Sequence, residues 1–145
     1  MNFVVHVSTL IERNGKYLFV REKKTNAYGK YNLPGGHLEL GEPIADGARR
    51  EVREEVGFDV ELEGFLGVYE GASDNHYINF VFTARAGESS TAVAKADEIL
   101  DCHWLSSEEI DNLPDELLRH AVRIRLIMKD YRQGSVYPPQ MLHVI

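Results

Sequence analysis

The chain has 145 residues, 43% of them hydrophobic and 27% charged, which is ordinary for a soluble globular protein and enough for one domain over residues 1–145. With 16 basic and 23 acidic side chains the net charge is −7, which argues against non-specific nucleic-acid binding and suits a protein that recruits cations. No apolar run is long enough to cross a membrane, Met1-Asn2-Phe3-Val4-Val5-His6 lacks the basic start and apolar core of a signal peptide, and the one cysteine, Cys102, cannot form an internal disulfide; together these predict a cytoplasmic protein without a membrane partner.

Phe3 to Glu12 and Lys16 to Arg21 are apolar, β-branched runs flanking Arg13-Asn14-Gly15, and Asn-Gly in that setting predicts a hairpin. Glu22 to Lys30 is polar and reads as a loop; Tyr31 to Leu40 reads as short extended chain around Leu33-Pro34-Gly35-Gly36. A helix is expected from Pro43 to Val56, with proline opening it, Gly57 stopping it and Ile44, Ala48, Val52 and Val56 forming its buried stripe. Val60 to Glu70 and His76 to Arg85 read as strands around the polar 71–75. Gly87 to Ala96 is small and polar and reads as a mobile loop, followed by a strand from Ile99 to Leu105. Ser106-Ser107-Glu108-Glu109 is a capping box for a short helix. A longer helix is expected from Pro114 to about Arg132, burying Leu117, Ala121, Ile124, Met128 and Tyr131. Strands mixed with helices that could cover both sheet faces predict a single α/β domain.

The densest signal lies between Gly36 and Phe58. Gly36, Glu42, Arg50, Glu51, Val52, Glu54, Glu55, Gly57 and Phe58 make a pattern of Gly, five residues, Glu, seven residues, then Arg-Glu-hydrophobic-any-Glu-Glu-any-Gly-hydrophobic. At about 6–7% average usage per fixed residue, a chance match is on the order of 10⁻⁹ per starting position. On a helix, Glu55 lies about 40° from Glu51 and Glu54 about 60° to the other side, so the three carboxylates share a sector of roughly 100°. Gly47 falls in the same sector one turn earlier, and is expected to leave the surface bare for a ligand. Carboxylates this close repel and push at least one pKa upward. A hard divalent cation reverses that logic, and Mg²⁺ takes few carboxylates while completing its shell with water and substrate phosphates. An acidic helix that recruits Mg²⁺ points to phosphate chemistry. A solvated, charge-rich helix face is the plainer reading of Arg49 to Glu55, but the fixed spacing back through Glu42 to Leu33-Pro34-Gly35-Gly36 favours a site.

This pattern resembles the signature of the Nudix hydrolases at all nine constrained positions, and the upstream strands, the Leu-Pro-Gly-Gly and the late Trp104 before a capped helix agree with it over nearly the whole chain. The resemblance implies a Nudix-like α/β/α sandwich with a mixed β-sheet between helices. It implies Mg²⁺-dependent hydrolysis, with Mn²⁺ as a substitute, of a nucleoside diphosphate linked to another moiety. By position, Glu51, Glu54 and Glu55 look like the metal-binding and base-providing carboxylates, and the carbonyl of Gly35 like a backbone metal ligand. Arg50 resembles the arginine that orients a helix glutamate, with Glu42 and Gly36 in support. Glu98, six residues before Trp104, resembles the distant acid of MutT-type members; capping a strand edge is its alternative. Tyr31 stands where many members carry Trp, and with His37 is the candidate for substrate contact. The stretch Pro34-Gly35-Gly36-His37-Leu38-Glu39 resembles nucleoside triphosphate diphosphatases. Asp130-Tyr131-Arg132-Gln133-Gly134 through Tyr137-Pro138 resembles the small NudJ-type phosphatases.

Other constellations are weaker. Gly15-Lys16 and Gly29-Lys30 lack the upstream glycine and following Ser or Thr of a phosphate loop. Cys102-His103 lacks zinc spacing and suits a half-buried strand. For His76, Tyr77 and Asn79, packing and solvent contact are expected ahead of substrate contact. Tyr137-Pro138-Pro139 is compatible with a lid or a homodimer interface, and a strapped-down tail is the simpler expectation. A module that senses a nucleotide without cleaving it would be expected to lose box glutamates, and none is lost here.

Overall fold

The computed structural model describes residues 2–72, 75–95 and 97–145. Its strands are β1 (Phe3–Arg13), β2 (Lys16–Glu22), β3 (Tyr31–Asn32), β4 (Gly35–His37), β5 (Glu61–Ala72), β6 (His76–Arg85) and β7 (Ile99–Ser106). Its α-helices are α1 (Ile44–Val56), α2 (Ser107–Asn112) and α3 (Ala121–Arg132). Asn14 and Gly15 both take positive φ, 51° and 75°, as a two-residue hairpin turn requires.

One seven-stranded sheet runs β3-β2-β1-β6-β5, with β4 added to β1 and β7 to β2. Among the strands of the described residues, β1 and β6 pair in parallel and the other neighbours antiparallel, so the sheet is mixed. Alternation along the strands divides the core in two. Val7, Ile11, Leu18 and Val20 face α1, where Ala48, Val52 and Val56 are fully buried. Leu10, Tyr17 and Phe19 face the other way, towards Ile110 of α2 and Ile124, Ile127 and Met128 of α3. The helices therefore cover both faces, as the sandwich expectation requires. Ser106 caps α2 in the expected box, its Oγ accepting from Glu109 N at 3.1 Å while its own N–H donates to Glu109 Oε2 at 2.9 Å.

Four expectations change. Pro43 precedes α1 as its cap, with ψ 143°, and is not its first helical residue. The helix expected from Pro114 is broken: Asp115–Leu117 form a 3₁₀ turn, Leu118 is extended and His120 takes φ 55° before α3 begins. Tertiary pairing explains the break, because Leu118 is buried and bridges to Tyr31, whose carbonyl accepts from Arg119 N at 2.8 Å. Leu117 consequently turns outward, 42% exposed. The surface at Gly47 is not bare, since a Cβ there would meet Leu38 Cδ1 at 2.6 Å and Glu42 Oε1 at 2.9 Å. Close approach of the preceding loop, and not ligand access, demands that glycine. The segment after Gly87 is tied down: Arg13 donates to the carbonyls of Gly87 and Ser90, and Val93 N and Lys95 N donate to the carbonyls of Val56 and Glu55. Ala96, the end of that expected loop, and Ser73 and Asp74 of the 71–75 turn lie outside the described residues. The tail is strapped as expected, with Tyr137 and Phe65 exchanging both backbone hydrogen bonds.

Candidate active site

Two elements bring the acidic residues together. β4 lies on β1 in register, Gly36 opposite Val7 and Gly35 opposite Ser8, and α1 crosses above it. Both glycines are required by contact. A Cβ on Gly35 would lie 2.2 Å from Val7 O, and one on Gly36 would lie 2.6 Å from Glu51 Oε1. The Glu51 carboxylate thus rests directly on the Gly36 backbone. Gly35 N donates to Glu55 Oε1 at 2.6 Å, fixing Glu55 beneath the loop.

Arg50 is the hub of the carboxylates. It donates to Glu42 twice, Nε to Oε2 at 2.6 Å and Nη2 to Oε1 at 3.0 Å. Its Nη1 donates to Glu51 Oε1 and to Glu54 Oε2, each at 3.0 Å, and Nη2 reaches His37 O at 3.1 Å. Glu39 joins at 3.7 Å, an acid that the box spacing does not single out. The result is a graded set, with Glu51 enclosed, Glu55 buried and Glu54 half exposed.

Burial pushes the Glu55 carboxyl well above its ordinary range, against the pull of the Gly35 N–H; Glu51 is raised for the same first reason, opposed by Arg50. Glu42, in contrast, is held low by its bonds from Arg50.

A cavity of about 290 Å³ opens over these groups, walled by Glu51, Glu54, Glu55, Arg50, His37 and, from another segment, Glu98. Glu98 enters from the turn before β7, its side chain 65% exposed and 3.4 Å from Lys24 Nζ. Among the described residues no three His, Cys, Asp or Glu side chains already stand at metal-binding spacing. The donor chemistry nevertheless fits a hard divalent cation: every candidate ligand is oxygen, and burial penalises the ionised forms of Glu55 and Glu51, which a cation would favour.

Of the sequence-derived candidates, Gly35, Gly36, His37, Arg50, Glu51, Glu54, Glu55 and Glu98 all line this cavity, and Glu42 stands behind Arg50. Tyr31 does not line it. Its ring stands edge-on to His103, 5.5 Å between centroids, because β3 pairs with β2 and turns the side chain toward β7. The sequence reading missed a second, smaller cavity next to the first, lined by Ser8, Asn32, Arg119 and Arg123. These residues come from β1, β3, α3 and the turn before α3, so no local spacing announces them.

The sequence profile of the NUDIX domain matches residues 2–127, and the chain belongs to that family. It is similar to phosphatase NudJ of Escherichia coli strain K12, with 28% identity over 95% of this chain and 89% of the relative. A NUDIX hydrolase from Nitrosomonas europaea superposes with a TM-score of 0.85 at 29% identity, covering 98% of this chain and 97% of that one. A bifunctional NMN adenylyltransferase/ADP ribose pyrophosphatase from Francisella tularensis, solved with AMP and a Mn ion, is 25% identical with a TM-score of 0.69; the match covers 88% of this chain and 41% of that larger one. The chain is accordingly a Nudix hydrolase, of a family that acts on pyrophosphate bonds of nucleotide-like substrates.

Proposed function

We propose that this protein is a Mg²⁺-dependent pyrophosphohydrolase acting on a nucleoside diphosphate linked to another moiety, with a nucleoside triphosphate or related small nucleotide as the substrate. The observation that carries this reading is the cavity lined by Glu51, Glu54, Glu55 and Glu98, with Arg50 bonded to two of the helix glutamates. Gly35 through its carbonyl, Glu54, Glu55 and Glu51 would hold the metal, with Mn²⁺ an acceptable substitute. Mg²⁺, when bound, supplies positive charge to phosphate oxygens and acidifies the attacking water. Glu51 serves as general base: it is enclosed, its proton affinity is raised by burial, and Arg50 fixes its orientation. Arg50 is a positioning residue, locked by Glu42. Glu98 closes the cavity opposite the helix.

A second reading, a NudJ-type phosphatase on small diphosphates, is favoured by the likeness to phosphatase NudJ over 95% of this chain. A panel of nucleoside triphosphates, nucleoside diphosphate sugars and small diphosphates incubated with Mg²⁺, with products resolved, separates the two. Release of pyrophosphate or a nucleoside monophosphate supports the first reading, and release of inorganic phosphate alone from diphosphates supports the second. No product from any substrate would leave only a non-catalytic nucleotide sensor.

A further inference from the structure

Two arginines face this cleft, and they are in opposite states. Arg50 is surrounded by carboxylates; Arg123, in the first turn of α3, is surrounded by neutral groups. Its Nη1 donates to Asn79 Oδ1 at 2.7 Å and, at longer range, to the Tyr77 hydroxyl at 3.3 Å and Ser8 Oγ at 3.5 Å. Nη2 donates to Asn32 Oδ1 at 2.7 Å. Nε is buried and has no acceptor. Both amides are locked with their oxygens toward the guanidinium, because Asn79 Nδ2 donates to Ser8 Oγ at 3.1 Å and Asn32 Nδ2 to Glu22 Oε1 at 3.0 Å. The network therefore orients Arg123 without neutralising it. Among the described residues no carboxylate pairs with this guanidinium, although Glu22 is relayed to it through Asn32.

A cation taken out of water without a counter-charge is costly unless an anion arrives. Other groups add to the positive field. α3 starts after His120 with no side-chain cap, so its first-turn N–H groups and its dipole favour an anion there. Arg119 and Lys24 line the same cavity, and the carboxylate in its wall, Glu22, is engaged by Asn32. His6, which also lines it with Nε2 lacking a partner, is held neutral, its pKa lowered to about 3 by burial with contributions from His37, Arg123 and Lys24.

Size narrows the occupant. The cavity measures about 50 Å³ and shares Glu22, Lys24, Gly35, Gly36 and His37 with the glutamate cavity, whereas the apolar cavity beyond Arg123, between β5 and α3, measures about 620 Å³. The small one is on the scale of a phosphate group, and the apolar one is the roomier of the two. We propose that Arg123, with Arg119, Lys24 and the uncapped start of α3, forms an anion subsite for the substrate phosphate furthest from the helix glutamates. Arg123 thereby selects substrates that carry a phosphate beyond the scissile bond. The proposal rests on the reading of the chain as a pyrophosphate-bond hydrolase.

The test begins without metal, since the glutamate cluster alone repels anions. Tripolyphosphate is titrated calorimetrically into the full-length protein in excess chelator, for the wild type, Arg123→Gln, Arg123→Lys and Arg119→Ala. Wild type is expected to bind, Arg123→Gln to weaken binding at least about tenfold, and Arg123→Lys to recover part of it by keeping the charge without the fork. Arg119→Ala, at the rim of the network, should weaken binding about threefold with an unchanged melting temperature, and serves where Arg123→Gln fails to fold. With Mg²⁺, Arg123→Lys should raise KM for a nucleoside triphosphate about tenfold at near-constant kcat, while KM for a nucleoside diphosphate sugar stays unchanged. No binding by the wild type, or undiminished binding in folded Arg123→Gln and in Arg119→Ala, overturns the subsite. A wild type that binds tripolyphosphate yet hydrolyses no nucleotide refutes the hydrolase reading and leaves the subsite standing.

Discussion

Glu42 holds Arg50 through two hydrogen bonds, at 2.6 and 3.0 Å, across the gap between the β4 loop and α1. That fork is what turns a run of like charges into an ordered site. The Nη1 amino group of Arg50 is then directed at Glu51 and Glu54, which would otherwise repel each other. The bond is charge-assisted and bidentate, the geometry in which arginine is least replaceable. Arg50→Lys and Glu42→Gln are both expected to lower kcat by about tenfold or more while leaving the melting temperature within a few degrees. Unchanged kinetics in either variant would reduce Arg50 to a surface charge.

Glu51 is expected to matter most for turnover. Its carboxylate lies on Gly36 and bonds Arg50, so Glu51→Gln keeps the shape and one acceptor while removing the proton-accepting charge. Turnover should fall on the order of 10²–10⁴-fold with the circular dichroism spectrum unchanged. A folded Glu51→Gln protein at near-wild-type turnover would remove the residue from the chemistry.

Metal dependence should be absolute and biased toward hard cations, because the proposed ligands offer oxygen alone. Activity lost in chelator should return with Mg²⁺ or Mn²⁺. Persistence of activity in excess chelator, or rescue by Zn²⁺ only, contradicts the ligand set.

Much of this was legible in the sequence because it is local. The Asn14-Gly15 turn, the capping box at Ser106 and the stripe Ala48-Val52-Val56 depend on residues a few positions apart. The glutamate cluster is equally local, since one helix carries three of its four members. The break before α3 was not legible, because Leu118 leaves the helical pattern only to meet Tyr31, far away in sequence. Arg123 was hidden for the same reason. On its helix it occupies an ordinary polar position, and only the convergence of β1, β3 and β6 upon it makes it a site.

His6 makes an acid-sensitive contribution to the fold, while Glu55 and Glu51, whose carboxyls burial raises, act in the opposite sense as pH falls. The folded ring stays neutral down to about pH 3, whereas the unfolded ring takes up a proton near the ordinary value of 6.5. Between those values the unfolded state binds more protons at this site, so the His6 contribution is complete above about pH 6.5 and falls as pH drops toward 3. The slope is at most about 1.4 kcal/mol per pH unit, and less because solvent reaches part of the ring. Below about pH 4 the Asp101 carboxyl, held down to about 2 by Arg21, adds loss in the same sense. From pH 7.5 to 4 the urea midpoint of the wild type should fall relative to that of His6→Gln. An identical pH dependence in the two proteins would remove His6 from the acid response.

Glu98 is the farthest reach of the site, since nothing in the helix accounts for it. α1 presents its acids from one side only, and the opposite wall of the cavity must come from elsewhere. The turn that carries Glu98 is anchored by its own backbone, Glu98 O accepting from Lys23 N at 2.6 Å, while the side chain reaches only Lys24. An exposed pair of this kind contributes little to stability and is easily exchanged for a stronger partner. Substrate and cation entering the cavity would offer one, drawing Glu98 inward as Lys24 turns to phosphate. Glu98→Gln should therefore lower turnover at least about tenfold and raise the Mg²⁺ concentration needed for half-maximal activity, with no change in melting temperature. Asp97→Asn, one residue before, should do less, because Asp97 is not part of the cavity wall. Titrating both variants with Mg²⁺ decides it. Full turnover with an unshifted metal midpoint in Glu98→Gln would make Glu98 a strand-edge acid, and the cluster on α1 would have to complete its shell with water and substrate alone.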